Sequence, residues 1–302
     1  MKFVIIGYGI QGRKRKKSLG KNCVAVVDKK NVKESDYRNI NQVPLYLYQS
    51  VVVCVPEDEK YKIINFCIKN NKHILVEKPL IFSDPLKIKK IEKRANKNNV
   101  FILSGYNHRY EKSIVLFKSI LKKKKIGKNY FCKIKYLNGT AKNVYKTWRD
   151  KKNGVLNDIG PHVIDLIFFL FGEGDFKKIN FFYPRKYENL SNDHVVFGFV
   201  YKKIDFIIEI SYCTWKNYFE VDLNGSKGSC RLSSLVKWGY SKIIFFKRVI
   251  PSGIPIETKY KFTGKDNSWK NEILKFKELV KKRTKTNLNR DYLINKIINQ
   301  LQ

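Results

Sequence analysis

The chain has no Cys-x-x-Cys pair, no close cluster of histidines and no long apolar run, and each absence removes a class of function. Its six cysteines (Cys23, Cys54, Cys67, Cys132, Cys213 and Cys230) are scattered. That spacing argues against a disulfide framework and reads as reduced thiols in a cytoplasmic protein. His73, His108, His162 and His194 lie far apart without ligand spacing, so no metal site is expected. The longest apolar stretch, Val163 to Phe171, is broken by Asp165 and falls well short of the roughly 20 residues that span a bilayer. Met1-Lys2-Phe3-Val4-Ile5-Ile6-Gly7 runs directly into a strand and a glycine turn. No signal-peptide core or cleavage site precedes it, so export is not expected.

Acidic residues are also scarce. The 26 Asp and Glu face 62 Lys and Arg, for a net charge of +36. Such a field attracts polyanions, and binding of that kind would weaken steeply with salt. The lysines cluster at Lys14-Arg15-Lys16-Lys17 and Lys122-Lys123-Lys124-Lys125, yet they recur on nearly every predicted helix and turn. No zinc-finger, helix-turn-helix or RRM signature accompanies them. The charge therefore reads as solvated faces, with neither a specific nucleic acid nor a membrane as partner. A basic polyanion-binding protein is kept as an alternative.

What is present describes a two-domain globular protein. The chain has 302 residues, 43% of them hydrophobic and 14% aromatic, which is more than one core holds comfortably. Apolar strand runs at Lys2–Ile6, Cys23–Val27, Ser50–Val55, Ile74–Val76 and Val100–Leu103 alternate with helical patterns at Gln11–Leu19, Asp58–Asn70 and Asp84–Asn98. That alternation implies right-handed crossovers and a doubly wound parallel sheet of Rossmann type. After Asn107 the pattern changes. A helix at Lys112–Lys123 leads into closely spaced strand runs at Phe131–Tyr136, Ile179–Tyr183, Val195–Tyr201, Phe206–Tyr212, Tyr218–Leu223 and Lys242–Phe246. These predict an α+β domain with an open, mainly antiparallel sheet. The expected division is residues 1–108 and 109–302, with the amphipathic C-terminal helices (Trp269–Val280, Asp291–Leu301) free to pack back on the first domain. The aromatic-rich strands Phe181-Phe182-Tyr183 and Phe206–Tyr212 offer an apolar sheet face for a homo-oligomer.

Three sites carry chemistry. The first is Gly7-Tyr8-Gly9-Ile10-Gln11-Gly12, which follows a strand and opens a helix, with Asp28 closing the second strand about 20 residues on. Gly7 permits the tight turn, Gly9 lets backbone approach a pyrophosphate, and Gly12 permits close helix–strand packing. Asp28 would accept hydrogen bonds from ribose hydroxyls and repel a 2′-phosphate, which favours NAD. Lys29 and Lys30 beside it keep NADP open. Pro56, at the end of the third strand, joins the cofactor set. The second site is Glu77-Lys78-Pro79, at a strand's carboxyl end where open α/β sheets place ligands. Pro79 biases Lys78 toward extended backbone and is a candidate for a cis bond. A lysine there can donate to a substrate oxygen.

The third is Gly154-Val155-Leu156-Asn157-Asp158-Ile159-Gly160-Pro161-His162-Val163-Ile164-Asp165. Pro161 suits the first turn of a helix that Gly172 stops. His162 then sits in that first turn. The helix dipole disfavours an imidazolium there while Asp158 favours it, a balance suited to taking a proton. Asp165, at i+3 from His162, is placed to orient the ring or to pair elsewhere. Asn107, Arg109, Trp148 and Arg149 are secondary substrate or nicotinamide candidates. Arg149 suits a phosphate or carboxylate, or a loop salt bridge.

In this order, the glycine turn, Glu77-Lys78-Pro79, Gly105-Tyr106-Asn107-His108-Arg109-Tyr110 and the Asp158–His162–Asp165 block resemble the Gfo/Idh/MocA family of glucose-fructose oxidoreductase and inositol dehydrogenase. The resemblance runs from Met1 into the C-terminal helices. It implies NAD(P)-dependent oxidation or reduction of a secondary alcohol or ketone in a sugar, cyclitol or sugar nucleotide. It assigns Lys78 as catalytic lysine, and Asp158 with His162 as acid/base pair. This chain departs from the pattern at three places. A single Gly154 stands where several glycines are common, Asn157 sits beside Asp158, and Lys60 stands where many members carry histidine. A non-catalytic dinucleotide sensor of the same fold is the other alternative, and it would leave Lys78 and His162 dispensable.

Overall fold

Four consecutive buried residues in each of two short segments, Phe3–Ile6 (β1) and Ser50–Val53 (β3), mark strands covered on both faces. The computed structural model describes residues 1–176 and 179–301. Around those two strands it forms a five-stranded parallel sheet in the order β2-β1-β3-β4-β5, with β2 at Cys23–Val27, β4 at His73–Glu77 and β5 at Ile102–Gly105. Helices α1 (Ile10–Leu19), α2 (Glu57–Lys69) and α3 (Leu86–Lys97) make the crossovers. Alternate strand residues serve two cores. Val4, Ile6, Val51, Val53, Ile74 and Val76 pack with Ile64, Ile68, Ile88 and Ile91 of α2 and α3. Phe3, Ile5, Val52 and Leu75 pack on the other face with Leu19 of α1 and with Ile273 and Phe276.

Ile273 and Phe276 belong to the C-terminal part of the chain. The chain forms two compact units, Met1–Asn107 with Asn267–Lys296, and His108–Asp266 with the residues from Ile297 onward. Helix α8 (Ser268–Lys281) thus covers one face of the first sheet, where the Phe276 ring lies 5.9 Å from Phe3 and 5.7 Å from Phe101. Helix α9 (Asn289–Gln300) follows, and its Tyr292 packs against the first core.

The second unit is an eight-stranded sheet in the order β13-β12-β11-β10-β6-β9-β8-β7. Its strands are β6 (Asn129–Gly139), β7 (Ile179–Arg185), β8 (His194–Tyr201), β9 (Ile204–Ser211), β10 (Cys213–Gly225), β11 (Gly228–Ser233), β12 (Ser241–Lys247) and β13 (Ile256–Phe262). All neighbours are antiparallel except β6 and β9, which pair in parallel. Helices α4 (Lys112–Lys122), α5 (Ala141–Val144), α6 (Val155–Asp158) and α7 (Gly160–Phe171) complete it. Phe206, Ile208, Ile210 and Tyr212 of β9 and its end point into the core, so of this segment only the alternate face, with Ile207, is turned to solvent. Sequence reading placed no strands at β11 and β13. The Ile256-Glu257-Thr258-Lys259-Tyr260-Lys261-Phe262 edge strand alternates apolar and charged residues as a strand does, yet it is almost wholly exposed and buries little of that face. Among the described residues no helix is long and apolar enough to cross a membrane.

Candidate functional site

The carboxyl ends of β1 and β3 lie side by side where the strand order reverses, the place where open α/β sheets bind ligands. There the chain turns sharply from β1 into α1. Gly7 has φ +92°, and a Cβ on it would meet the Cys54 carbonyl oxygen at 2.6 Å. A Cβ on Gly12 would meet the Gly7 carbonyl oxygen at 2.1 Å, so α1 packs against the turn with no room for a side chain. At Gly9 the reverse holds: nothing lies within 4 Å of an added Cβ. Gly9 caps α1 without a side-chain hydrogen bond, and no acidic residue occupies the first turn. The helix therefore presents open backbone N–H groups and its positive dipole end over an uncovered glycine, which fits a pyrophosphate. Ile10 and Gln11 stand exposed beside it, as does Pro56 at the start of α2.

Asp28 braces this turn. Its carboxylate accepts from the N–H groups of Tyr8 at 2.5 Å, Lys30 at 2.7 Å and Asn31 at 2.8 Å. Burial acts to raise the Asp28 carboxyl, but the donors from Asn31, Tyr8 and Lys30 outweigh it and hold the group below the usual carboxylate range. A stable anion at the end of β2 fits a ribose diol. Lys29 is paired with Glu59 at 2.8 Å.

At the end of β4, Glu77 is turned toward the sheet interior. Its Oε1 lies 2.5 Å from Nε of Arg15, and Arg15 Nη1 lies 2.6 Å from Oε2 of Glu272 on α8. Arg15 is 0% exposed although it sits within the basic run of α1. Trp269 covers its guanidinium at 4.3 Å. Lys78 follows, half-buried, and the Lys78–Pro79 bond is cis. Asn107 ends this unit, its amide donating to Ser268 at 2.8 Å.

In the second unit, α7 begins at Gly160 with Pro161 in its first turn and ends at Gly172, which has φ +86°. His162 occupies the first turn. Its ring centroid lies 4.7 Å from that of His108 and 6.0 Å from that of Tyr136. The Tyr136 hydroxyl is 3.3 Å from Nε2 of His108 and accepts from Lys237 at 3.1 Å. Burial lowers the His108 pKa, Glu111 and Asp266 oppose that, and Lys237 adds to it. The net lowering disfavours a second cation beside His162.

Asp158, at the end of α6, is held by two groups. Arg149 reaches it through Nε at 3.1 Å and through a second guanidinium nitrogen, and the Tyr212 hydroxyl donates to it at 3.0 Å. Burial works against the Arg149 charge, yet Asp158 outweighs that and raises its pKa. Burial pushes the Tyr212 phenol well above its ordinary value, and Asp158 adds to this while Arg149 opposes it, so Tyr212 acts as a donor. Asp165 takes both of its hydrogen bonds in this pair from Arg109, with Nε at 2.8 Å. Trp148 is 52% exposed in the loop before Arg149. Sequence reading missed Tyr212, Tyr136, His108 and Lys237, because strand pairing and a loop return carry them to the site from elements distant in sequence. Among the described residues no group of three potential metal ligands is found.

Comparison with known proteins agrees with both halves. A family profile described as an oxidoreductase family with an NAD-binding Rossmann fold matches residues 1–106, and one for the GFO/IDH/MocA C-terminal domain matches residues 114–231. Glucose-6-phosphate 3-dehydrogenase of Bacillus subtilis (strain 168) is 34% identical over 127 residues, covering 37% of this chain and 35% of that protein. A scyllo-inositol 2-dehydrogenase (NADP(+)) of the same organism is 26% identical over 125 residues, covering 40% and 34%. The match thus spans about a third of the length of these curated relatives. Among solved structures, levoglucosan dehydrogenase in complex with NADH superimposes with a TM-score of 0.84 at 16% identity, over 100% of this chain and 95% of that one. At that identity the likeness speaks for the fold.

Proposed function

The chain belongs to the Gfo/Idh/MocA oxidoreductase family, and on that premise we propose that it moves a hydride between NAD and a secondary alcohol, or its ketone, of a sugar, cyclitol or sugar nucleotide. Gly7, Tyr8, Gly9, Ile10, Gln11 and Gly12 would hold the pyrophosphate, with Asp28 on the ribose and Pro56, Glu77 and Lys78 bordering the ligand. Bound nicotinamide supplies the hydride acceptor in its oxidised form and the donor in its reduced form.

The observation that carries the reading is the first turn of α7, where the His162 ring stands 4.7 Å from that of His108, whose burial disfavours its charged form. In the oxidative direction His162 takes the hydroxyl proton as the hydride leaves the same carbon. Asp158, fixed by Arg149 and Tyr212, supports the imidazolium that forms. Lys78 donates to the reacting oxygen and stabilises the charge developing on it. Because Arg149 is engaged by Asp158, a phosphate on the substrate is not assigned to it. The printed names of the relatives, which concern glucose 6-phosphate, scyllo-inositol and levoglucosan, support a polyhydroxylated substrate.

The test is an initial-rate survey with NAD and NADP across free sugars, sugar phosphates, cyclitols and nucleotide-linked sugars, run in both directions. The expected result is turnover of at least one class, faster with NAD than with NADP. A folded protein that binds NADH and turns over none of them would overturn the enzymatic reading in favour of a dinucleotide sensor.

A further inference from the structure

We propose that Lys60 is a positioning residue for Lys78, its buried ammonium clamping the Pro79 carbonyl and so fixing the turn on which Lys78 stands. The inference rests on the reading of Lys78 as the lysine that meets the reacting oxygen. Lys60 lies in the first turn of α2 and is 2% exposed. Its Nζ donates to the carbonyl oxygen of Pro79 at 2.8 Å. A lysine is almost never fully buried unless something holds it, because the ammonium loses its hydration there. Here the holder is backbone at a position of consequence. The proline ring fixes φ, so pinning the carbonyl of Pro79 also pins the peptide that leaves Lys78. A neighbouring backbone N–H could satisfy the same carbonyl without burying a charge.

The groups facing Lys60 come from each element around it: Glu57 on its own helix, Glu77 and Lys78 at the end of β4, and Cys54 beyond β3. Burial lowers the Lys60 pKa to about 8, Glu57 and Glu77 oppose the shift, Lys78 adds to it and Cys54 opposes it. Glu77 is shared with Arg15, so its charge only partly answers that of Lys60. Lys60 thus changes charge in a range where enzymes are assayed, directly behind the turn that carries Lys78.

The experiment compares Lys60→Met and Lys60→Gln with Lys78→Met and the wild type. Lys60→Met is expected to lower kcat about 10- to 100-fold, the scale of a misplaced catalytic group, with NADH affinity changed less than about two-fold. Lys60→Gln, whose amide still donates, should recover part of kcat. Both variants should lose the group titrating near pH 8 from the kcat profile. A cofactor-free readout accompanies this. A lysine with a lowered folded pKa leaves the unfolded state binding more protons between the two values. Wild-type stability should therefore rise relative to Lys60→Met as pH climbs from about 8 toward about 10.5. Wild-type kcat and pH profile in either variant, with Lys78→Met inactive, would overturn the positioning role and leave the reading of Lys78 standing. Full turnover by Lys78→Met would overturn that reading itself. Failure of both Lys60 variants to fold would overturn the proposal in favour of a purely structural lysine.

Discussion

Replacing His162 by asparagine should lower turnover by about 10²- to 10⁴-fold, the span over which a positioned acid or base contributes, while NADH binding stays intact. Asparagine keeps a polar side chain of similar length at the start of α7 but cannot accept a proton near neutral pH. His162 is only half-buried beside His108 and Tyr136, and the change strands no charge, so loss of fold is not expected. The cofactor residues all lie within residues 7–78, on the other unit, so binding and turnover should separate cleanly. Steady-state kinetics with a substrate from the survey, alongside NADH titration, decide the matter. Turnover within about three-fold of wild type would remove His162 from the chemistry and return it to the ordinary role of a packed histidine.

Arg15→Met should produce the largest stability change in the first unit, about 3–5 kcal/mol, because it strands two buried carboxylates. Glu272 is wholly buried and Glu77 nearly so, and Arg15 lies between them under Trp269. Burial acts to lower the Arg15 pKa, and Glu272 and Glu77 together more than reverse that. Gly105 makes room for the guanidinium, since a Cβ there would meet Nη2 at 2.7 Å. The triad ties α1, the end of β4 and α8 together directly behind the glycine turn. Its loss should therefore weaken cofactor binding as well as folding. Chemical denaturation of wild type and variant measures the cost. A loss below about 1 kcal/mol would show that the carboxylates find other partners. The exposed pair that Arg13, on the same helix, makes with Glu34 beyond β2 is the contrast: both partners stay hydrated, and its removal should be nearly silent.

The order of strands and helices in the first unit was legible because its signals are local. Strand runs separated by helical periodicity, and a glycine turn followed by an acidic residue, depend only on neighbours along the chain. The bounds of α7 were legible for the same reason, with Pro161 able to start a helix and Gly172 to end it. What stayed hidden depends on contacts between distant segments. Arg15 read as one more cation in Lys14-Arg15-Lys16-Lys17, and only the docking of α8 through Ile273 and Phe276 makes it a buried ligand of two carboxylates. Tyr212 reaches Asp158 across 54 positions because it follows directly on β9, against which α6 packs. His108 and His162, dispersed in sequence, are brought ring to ring by α7 packing beside the start of this unit. Lys60 stood out only as an unexpected residue type, and its hydrogen bond to Pro79 gives it a place.

Titration of the purified protein with NADH and NADPH, followed by cofactor fluorescence in moderate salt, tests the central claim most directly. The expected result is saturable binding of NADH, tighter than that of NADPH, and its loss in a Gly12→Val protein whose new side chain collides with the Gly7 carbonyl. No saturable signal from either cofactor in a folded sample, or undiminished binding by Gly12→Val, would contradict it.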